Sequence, residues 1–288
     1  MSTSTLTSPT ETSVQVQSAA GAVHLTFPRV VRSEWIKFRT LRSTIWTLAI
    51  TLVVMVGIVT LFSAVAASQL SNTQSAEGDG GSIVVFMIAA GMAQLAVAVL
   101  GTLVITGEYS TGMIRSTLAA VPRRLAALWA KAIVLAVSIF LVSIVAVALS
   151  LAVMQLFLGD KGVAPDLGNP ETLRILVGTA LYLTGIAGLA FAIGALLRHS
   201  AGALATVLGL LLVIESLAHI PWRPLQLIVP FLPGTAGSKL MLTQAQIDAT
   251  SQGAVGAVLG PWQGFAVLIA WVAVLLTAAA VLIRRRDA

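Results

Sequence analysis

Glu215 combines a carboxyl group with a place inside a long apolar run of this 288-residue chain. Glu215 lies near the end of the fifth such run, and a carboxylate in that setting is by default a functional candidate, for example in proton or ion transfer. Three structural alternatives stay open. Glu215 could cap a helix, pair with Arg223 or His219, or reach lipid headgroups.

The other reactive residue types give no further constellation. The chain has no cysteine, so it has no thiol and no disulfide. His24, His199 and His219 lie in three separate segments and cannot share a metal. No G-x-x-x-x-G-K-[ST] phosphate loop occurs, nor any Ser/His/Asp set or acidic pair at one membrane depth. We therefore expect no catalytic residue, metal or cofactor in this chain, which should not be an enzyme.

The composition is that of an integral membrane protein. Hydrophobic residues make up 57% of the chain and charged residues only 10%, where soluble domains carry about 25%. Six apolar runs are long enough to cross a bilayer, and the third could tilt or project beyond it. These spans define an all-α polytopic fold with six transmembrane helices. The predicted spans are 44–66, 82–106, 125–158, 173–197, 201–220 and 262–283.

The distribution of basic residues predicts the orientation. With the N-terminus inside, 13 of the 17 Lys and Arg residues fall in cytoplasmic segments. Such an excess is what membrane insertion selects on the cytoplasmic side. The sequence thus predicts a multi-pass protein of the cell membrane with both termini in the cytoplasm. The net charge of +6 comes from these flanking clusters and does not indicate nucleic-acid binding.

Two elements precede the first span. Residues 1–28 are rich in Ser and Thr and predict a disordered cytoplasmic tail. Residues 29–43 place apolar side chains at three- and four-residue steps and basic ones on the other faces, which is typical of a helix in the headgroup layer. A frayed leader to the first span is the alternative. The apolar positions are Val31, Trp35, Phe38 and Leu41, and the basic ones include Lys37 and Arg39.

The segment between the last two spans, 221–261, is apolar but broken by Pro and Gly. Irregular backbone in lipid is costly unless it packs on protein or lines a cavity. We expect short interfacial or re-entrant helices here, one of them over 243–259.

A polar, basic segment, 107–124, separates the second and third spans and lies in the cytoplasm on this topology. Ser110 or Thr111 could cap a helix that ends near Pro122. Its apolar positions would give it a face suited to a groove on a soluble partner. The alternative is a helix lying flat on lipid. The apolar positions are Met113, Ile114, Leu118 and Val121.

The same segment resembles the permease subunits of bacterial ABC transporters of the type-2 export class. Members show a Glu at the end of the second span, a Gly followed by apolar residues, and a stretch ending in Pro and basic residues. Segments 33–48 and 231–241 add to the similarity, which extends over the chain from residue 29 as one permease domain, 29–288. The residues that match are Glu108, Gly112, Met113, Ile114, Leu118, Ala119, Ala120, Val121, Pro122, Arg123, Arg124 and Lys131.

The resemblance implies a cytoplasmic coupling helix that seats in a separate ABC ATP-binding subunit, which would carry Mg-ATP. It also implies an interfacial helix beside it and a second permease copy or paralogue. The function would be export, and the apolar interior favours a small amphipathic or lipophilic substrate. The coupling residues would be Glu108, Gly112, Met113, Ile114, Arg115, Leu118, Pro122, Arg123 and Arg124. The interfacial residues would be Trp35, Lys37, Phe38 and Arg39.

Two other functions stay open at this point. An ion-coupled secondary transporter would need a titratable group along its pathway, and Glu215 is the candidate. A non-transporting scaffold or immunity protein would act without any ATPase partner.

Overall fold

The computed structural model describes residues 26–70, 80–113, 124–216, 220, 222–252 and 256–286. Every regular element in these ranges is helical, which confirms the all-α class. The predicted tail lies outside the described residues up to position 25. The helices are α1 Phe27–Thr40, α2 Arg42–Leu70, α3 Gly80–Ser110, α4 Arg124–Leu158, α5 Pro170–Leu197, α6 Ser200–Leu208, α7 Arg223–Ile228, α8 Pro233–Ser238, α9 Gln244–Ser251 and α10 Pro261–Arg286.

Five of the described helices, α2, α3, α4, α5 and α10, are long and apolar enough to cross a membrane. They coincide with the predicted first, second, third, fourth and sixth spans. The fifth prediction, 201–220, is matched by a shorter apolar segment, Ser200–Ile214, in which α6 continues as a π-helix at Gly209–Ile214. The described part of the chain is therefore a polytopic helical membrane protein in which the fifth segment differs from the other spans.

Helix α5 is the centre of the bundle. Its most hydropathic stretch is 72% buried, against 44% or less for the other four spans. Small residues let its neighbours approach closely, as expected for packing in lipid. A Cβ added at Gly185 would lie 2.6 Å from Leu268 on α10, and one at Gly194 would lie 2.8 Å from Ile105 on α3. The α5 glycines thus set the spacing of α3 and α10.

Helix α1 packs Val31, Trp35 and Phe38 of the predicted face against the core, and the burial extends to a neighbouring row of residues. Its buried residues are Val30, Glu34 and Phe38, which recur every four positions and share one face. Leu41, predicted on the apolar face, is 48% exposed because α1 ends at Thr40 and the chain turns before α2 begins at Arg42. Predicting one element over 29–43 was therefore wrong at its C-terminal end.

The segment after α6 forms short helices, as the sequence predicted. Helix α9 begins after Thr243, whose side chain forms a capping box with Gln246, and ends at Ser251 rather than at 259. Helix α8 is deeply buried and packs on α5 and α10. A Cβ at Gly237 would lie 3.0 Å from Tyr182, a residue about 18 Å along α5 from its start at Pro170. Helix α8 therefore packs well within the length of α5 rather than beyond its end.

Candidate functional site

Four charged side chains meet where α1, α3 and α4 converge. Glu34 and Lys37 come from α1, Glu108 from the last turn of α3, and Lys131 from the second turn of α4. We call these four residues the ionic cluster. It connects three elements that are far apart in sequence.

Lys131 is the centre of the ionic cluster. Its Nζ lies 2.5 Å from Glu34 Oε2 and 2.8 Å from Glu108 Oε1, and it donates a hydrogen bond to each. Lys37 Nζ lies 2.9 Å from Glu34 Oε1 and 3.6 Å from Glu108 Oε1. Two carboxylates and two ammonium groups leave the ionic cluster with no formal net charge.

Three of the four charged side chains are buried, which increases the effect of these ion pairs on stability. The side chains of Glu34, Glu108 and Lys131 are 4%, 6% and 8% exposed, whereas Lys37 is 36% exposed. Taking one charge out of water costs several kcal/mol, so removal of any one buried partner leaves another charge uncompensated. The three buried members therefore stabilise the junction only as a set.

The neighbouring charges shift the pKa values of both α1 residues. Burial by itself would raise the pKa of Glu34, but the ammonium groups of Lys131 and Lys37 outweigh it and lower that pKa below its ordinary value. Burial would likewise lower the pKa of Lys37, yet the carboxylates of Glu34 and Glu108 raise it. Both groups are held in their charged forms.

A cavity of about 260 Å³ opens beside the ionic cluster, between α1, α2, α3 and α4. The four charged residues line it together with hydroxyl side chains and apolar ones. The cavity is thus amphipathic. The hydroxyl side chains are those of Ser43, Thr44, Thr47 and Thr111, and the apolar ones include Phe38, Leu103, Val104 and Val134.

One oxygen in this cavity has no partner among the described residues. Glu108 Oε1 accepts from Lys131, but Glu108 Oε2 is buried without a hydrogen bond. A buried carboxylate oxygen left unsatisfied is costly, so it normally has a donor close by.

A family model described as ABC-2 family transporter protein matches residues 30–218, which include the whole ionic cluster. The chain belongs to this family. It is therefore a permease subunit of an ABC transporter, a class whose members generally work with an ATP-binding subunit and often form dimers. No curated protein gave a significant match to the chain.

The coupling candidates that the structure describes lie at or just beyond the C-terminal end of α3. Glu108 lies in the ionic cluster, Gly112 adopts a left-handed φ of +71°, and the Met113 side chain is 41% exposed. The rest of that set lies outside the described residues: Ile114, Arg115, Leu118, Pro122, Arg123 and the side chain of Arg124.

The interfacial candidates divide between core and surface. Phe38 is buried, Trp35 is partly buried against the core, Lys37 joins the ionic cluster, and Arg39 is exposed. Sequence reasoning missed Glu34, which it did not single out. A signal was present, since an acid in an otherwise basic helix lies midway between Val30 and Phe38 on one face.

Glu215 lies at the opposite end of the permease, after the π-helical continuation of α6 and against the start of α8. The backbone N–H groups of Gly234 and Thr235 are placed to donate to its carboxylate, while its Oε1 is buried without a hydrogen-bond partner among the described residues. A Cβ at Gly234 would meet that carboxylate, so a larger residue there would require the Glu215 side chain to shift. Arg223 forms no ion pair with Glu215 among the described residues, and His219 lies outside them. Of the predicted alternatives, the geometry favours helix capping.

Proposed function

We propose that this permease exports a small amphipathic or lipophilic molecule, with ATP hydrolysed by a separate subunit. The ionic cluster is the observation that carries the proposal. It joins the end of α3, where segment 107–124 begins, to α1 and α4. A force applied to that segment would therefore reach two further helices directly.

In the proposed cycle, segment 107–124 is the cytoplasmic coupling helix and α1 is the interfacial helix. Closure of an ATP-binding dimer would move the coupling helix, and the ionic cluster would carry that movement into α1 and α4. Coupling requires the partner to bind the two states of the permease with different affinity. Exposed Met113 is suited to that contact, because an apolar side chain gains most when a partner covers it.

The remaining assignments follow from the same proposal. Two permeases, two copies or a copy and a paralogue, would form the pathway. This chain would supply no catalytic residue and no cofactor, and Mg-ATP would bind the partner. Six spans would cross the cell membrane, with α6 and its π-helical continuation as the fifth and both termini in the cytoplasm.

An apolar cavity supports the lipophilic substrate class. It measures about 370 Å³ and lies between α4, α5 and α10. Its walls are almost wholly apolar and include Trp129, Ile133, Phe265 and Leu276. Such a surface favours apolar groups and offers no charged partner to a polar solute.

The test is co-purification from native membranes with a tag on the permease. We expect an ABC ATP-binding subunit to be retained, and Met113→Asp or Ile114→Asp to abolish retention. Leu167→Asp is the matched control, since Leu167 is 47% exposed in the loop before α5 at the opposite end. Charge reversal at Arg123 and Arg124 should weaken retention only modestly, because exposed ion pairs contribute under about 1 kcal/mol each. A permease that purifies alone, with normal transport in both Asp variants, would contradict the proposal.

The secondary-transporter alternative gains little from the structure, because Glu215 contacts the backbone of α8. It still predicts transport in vesicles that persists without ATP, collapses with the proton gradient and is lost in Glu215→Gln. A scaffold or immunity protein would instead protect cells with no ATPase partner present.

A further inference from the structure

We propose that the cavity beside the ionic cluster binds the head of a zwitterionic amphiphile with a primary ammonium group, such as an aminophospholipid. This inference goes beyond the proposed function, because binding to the permease alone would require neither an ATPase nor transport.

Glu108 offers an unsatisfied hydrogen-bond acceptor. Glu108 is 5% exposed and lines the cavity, and its Oε2 is buried without a partner among the described residues. The other oxygen is already committed to Lys131 at 2.8 Å. A ligand that fits here must therefore bring a hydrogen-bond donor, and an ammonium group makes the strongest such bond to a carboxylate.

The neutrality of the ionic cluster limits the net charge of a ligand beside it. The ionic cluster is neutral as it stands, so a ligand with a net positive or negative charge would leave an uncompensated charge in a buried place. A zwitterion avoids this cost. Its ammonium group would meet Glu108 Oε2, and its anionic group would lie toward Lys37, which is the half-exposed member at the edge of the ionic cluster.

The size and shape of the cavity limit how much of a ligand it can hold. Pockets for whole drug-sized ligands usually measure about 300–1,000 Å³. This cavity, about 260 Å³, has room for a head and little more. Leu103, one of its apolar walls, is 37% exposed on the outer surface of α3, so a chain attached to the head can leave along that wall. The ligand is thus an amphiphile whose tail remains in the bilayer.

The test uses purified, delipidated permease and three probes measured by calorimetry. Lysophosphatidylethanolamine and lysophosphatidylcholine share a tail, but the choline head has no N–H to donate. Glycerophosphoethanolamine supplies the soluble head without a tail. We expect the ethanolamine lysolipid to bind about tenfold or more tightly than the choline one, as for one charge-assisted hydrogen bond, and more tightly than the soluble head.

Two variants and a control locate the site. Leu103→Trp fills the apolar wall and should weaken binding of both lysolipids by about tenfold or more, the scale of one lost anchor contact. Leu149→Trp changes a similarly exposed leucine on α4 outside the cavity and should leave binding unchanged. Glu108→Gln should remove the preference for ethanolamine. If that variant does not fold, Leu103→Trp and the comparison of probes still decide the matter.

Four results would overturn the proposal. Equal affinity for the two lysolipids would exclude recognition by Glu108. Unchanged binding in Leu103→Trp would place the lipid elsewhere. Binding of the soluble head as tightly as the lysolipid would exclude an amphiphile, and no binding of any probe would leave water as the occupant of the cavity.

Discussion

Where α1, α3 and α4 meet, which we call the α1 end, ion pairs between side chains join the three helices. Around α8, which we call the α8 end, side chains instead donate hydrogen bonds to the backbone of the segment that contains α8. Arg174 donates to the carbonyls of Leu240 and Leu242 at 3.0 and 2.9 Å. Trp271 Nε1 donates to the Phe231 carbonyl at 2.9 Å. Both sets of contacts join elements distant in sequence, but their chemistry differs.

The difference bears on which end can move. Ion pairs can exchange partners without disturbing the helices that carry them, and Lys37 and Lys131 already share both carboxylates. The α8 end depends on glycine contacts at which a single methyl group would collide with backbone, such as Gly264 against the Ala236 carbonyl. Close-packed contacts of that kind have one geometry. The α8 end is therefore restricted to one packing, whereas the ion pairs at the α1 end can form in more than one arrangement.

The largest expected effect is at the ionic cluster. Lys131→Met leaves Glu34 and Glu108 buried with only Lys37 nearby, and breaking a buried pair in this way costs about 3–5 kcal/mol. Thermal unfolding in detergent should show a clear fall in Tm. Arg223→Met, at an exposed basic residue of α7 that forms no ion pair among the described residues, is the control. Equal Tm values for the two variants would mean that the ionic cluster does not stabilise the junction.

A smaller effect is expected at the α8 end. In Gly237→Ala the new Cβ would lie 2.6 Å from Leu268 and 3.0 Å from Tyr182, and overpacking of this kind costs about 1–3 kcal/mol. Gly57→Ala is the matched control, because a Cβ on that α2 residue has open space around it. At position 57 the higher helix propensity of alanine should raise the stability of the permease slightly. If both substitutions raise Tm, the close packing of α8 is not a constraint.

The smallest expected effect is on the pH dependence of Tm. The pKa of Glu34 is lower in the folded permease than its ordinary 4.5, so folding favours the carboxylate. Its contribution is present above pH 4.5 and is lost as the pH falls through the lowered pKa. Tm measured from pH 7 to pH 3 should therefore fall less steeply in Glu34→Gln than in the wild type. Asp160→Asn, at an exposed acid, serves as the control. Parallel curves for Glu34→Gln and the wild type would contradict the pairing.

Much of the fold could be predicted from the sequence, because hydropathy fixes where a helix can cross lipid. The third predicted span, 125–158, differs from α4 by one residue at its start. In the fifth predicted span, 201–220, the backbone changes to a π-helix at Gly209–Ile214, and residues 217–219 lie outside the described residues. Composition carries no information about that change in hydrogen bonding.

The site was harder to predict than the spans. Glu108 was singled out through its place in the resemblance, but the ionic cluster depends on Glu34, 97 positions from Lys131. Nothing local indicates that these side chains meet, since the contact arises from how α1 lies across α4. The partners of Glu215 likewise come from α8, a helix too short and irregular for periodicity to locate.

The central claim is that the end of α3 meets an ATP-binding subunit. The most direct test places a photo-crosslinking amino acid at Met113 in native membranes, with the same substitution at exposed Leu167 as the control. The account predicts an adduct between position 113 and a protein with an ABC-type ATP-binding sequence, and no such adduct from position 167. Crosslinking from position 113 to lipid alone, in cells that transport normally, would contradict it.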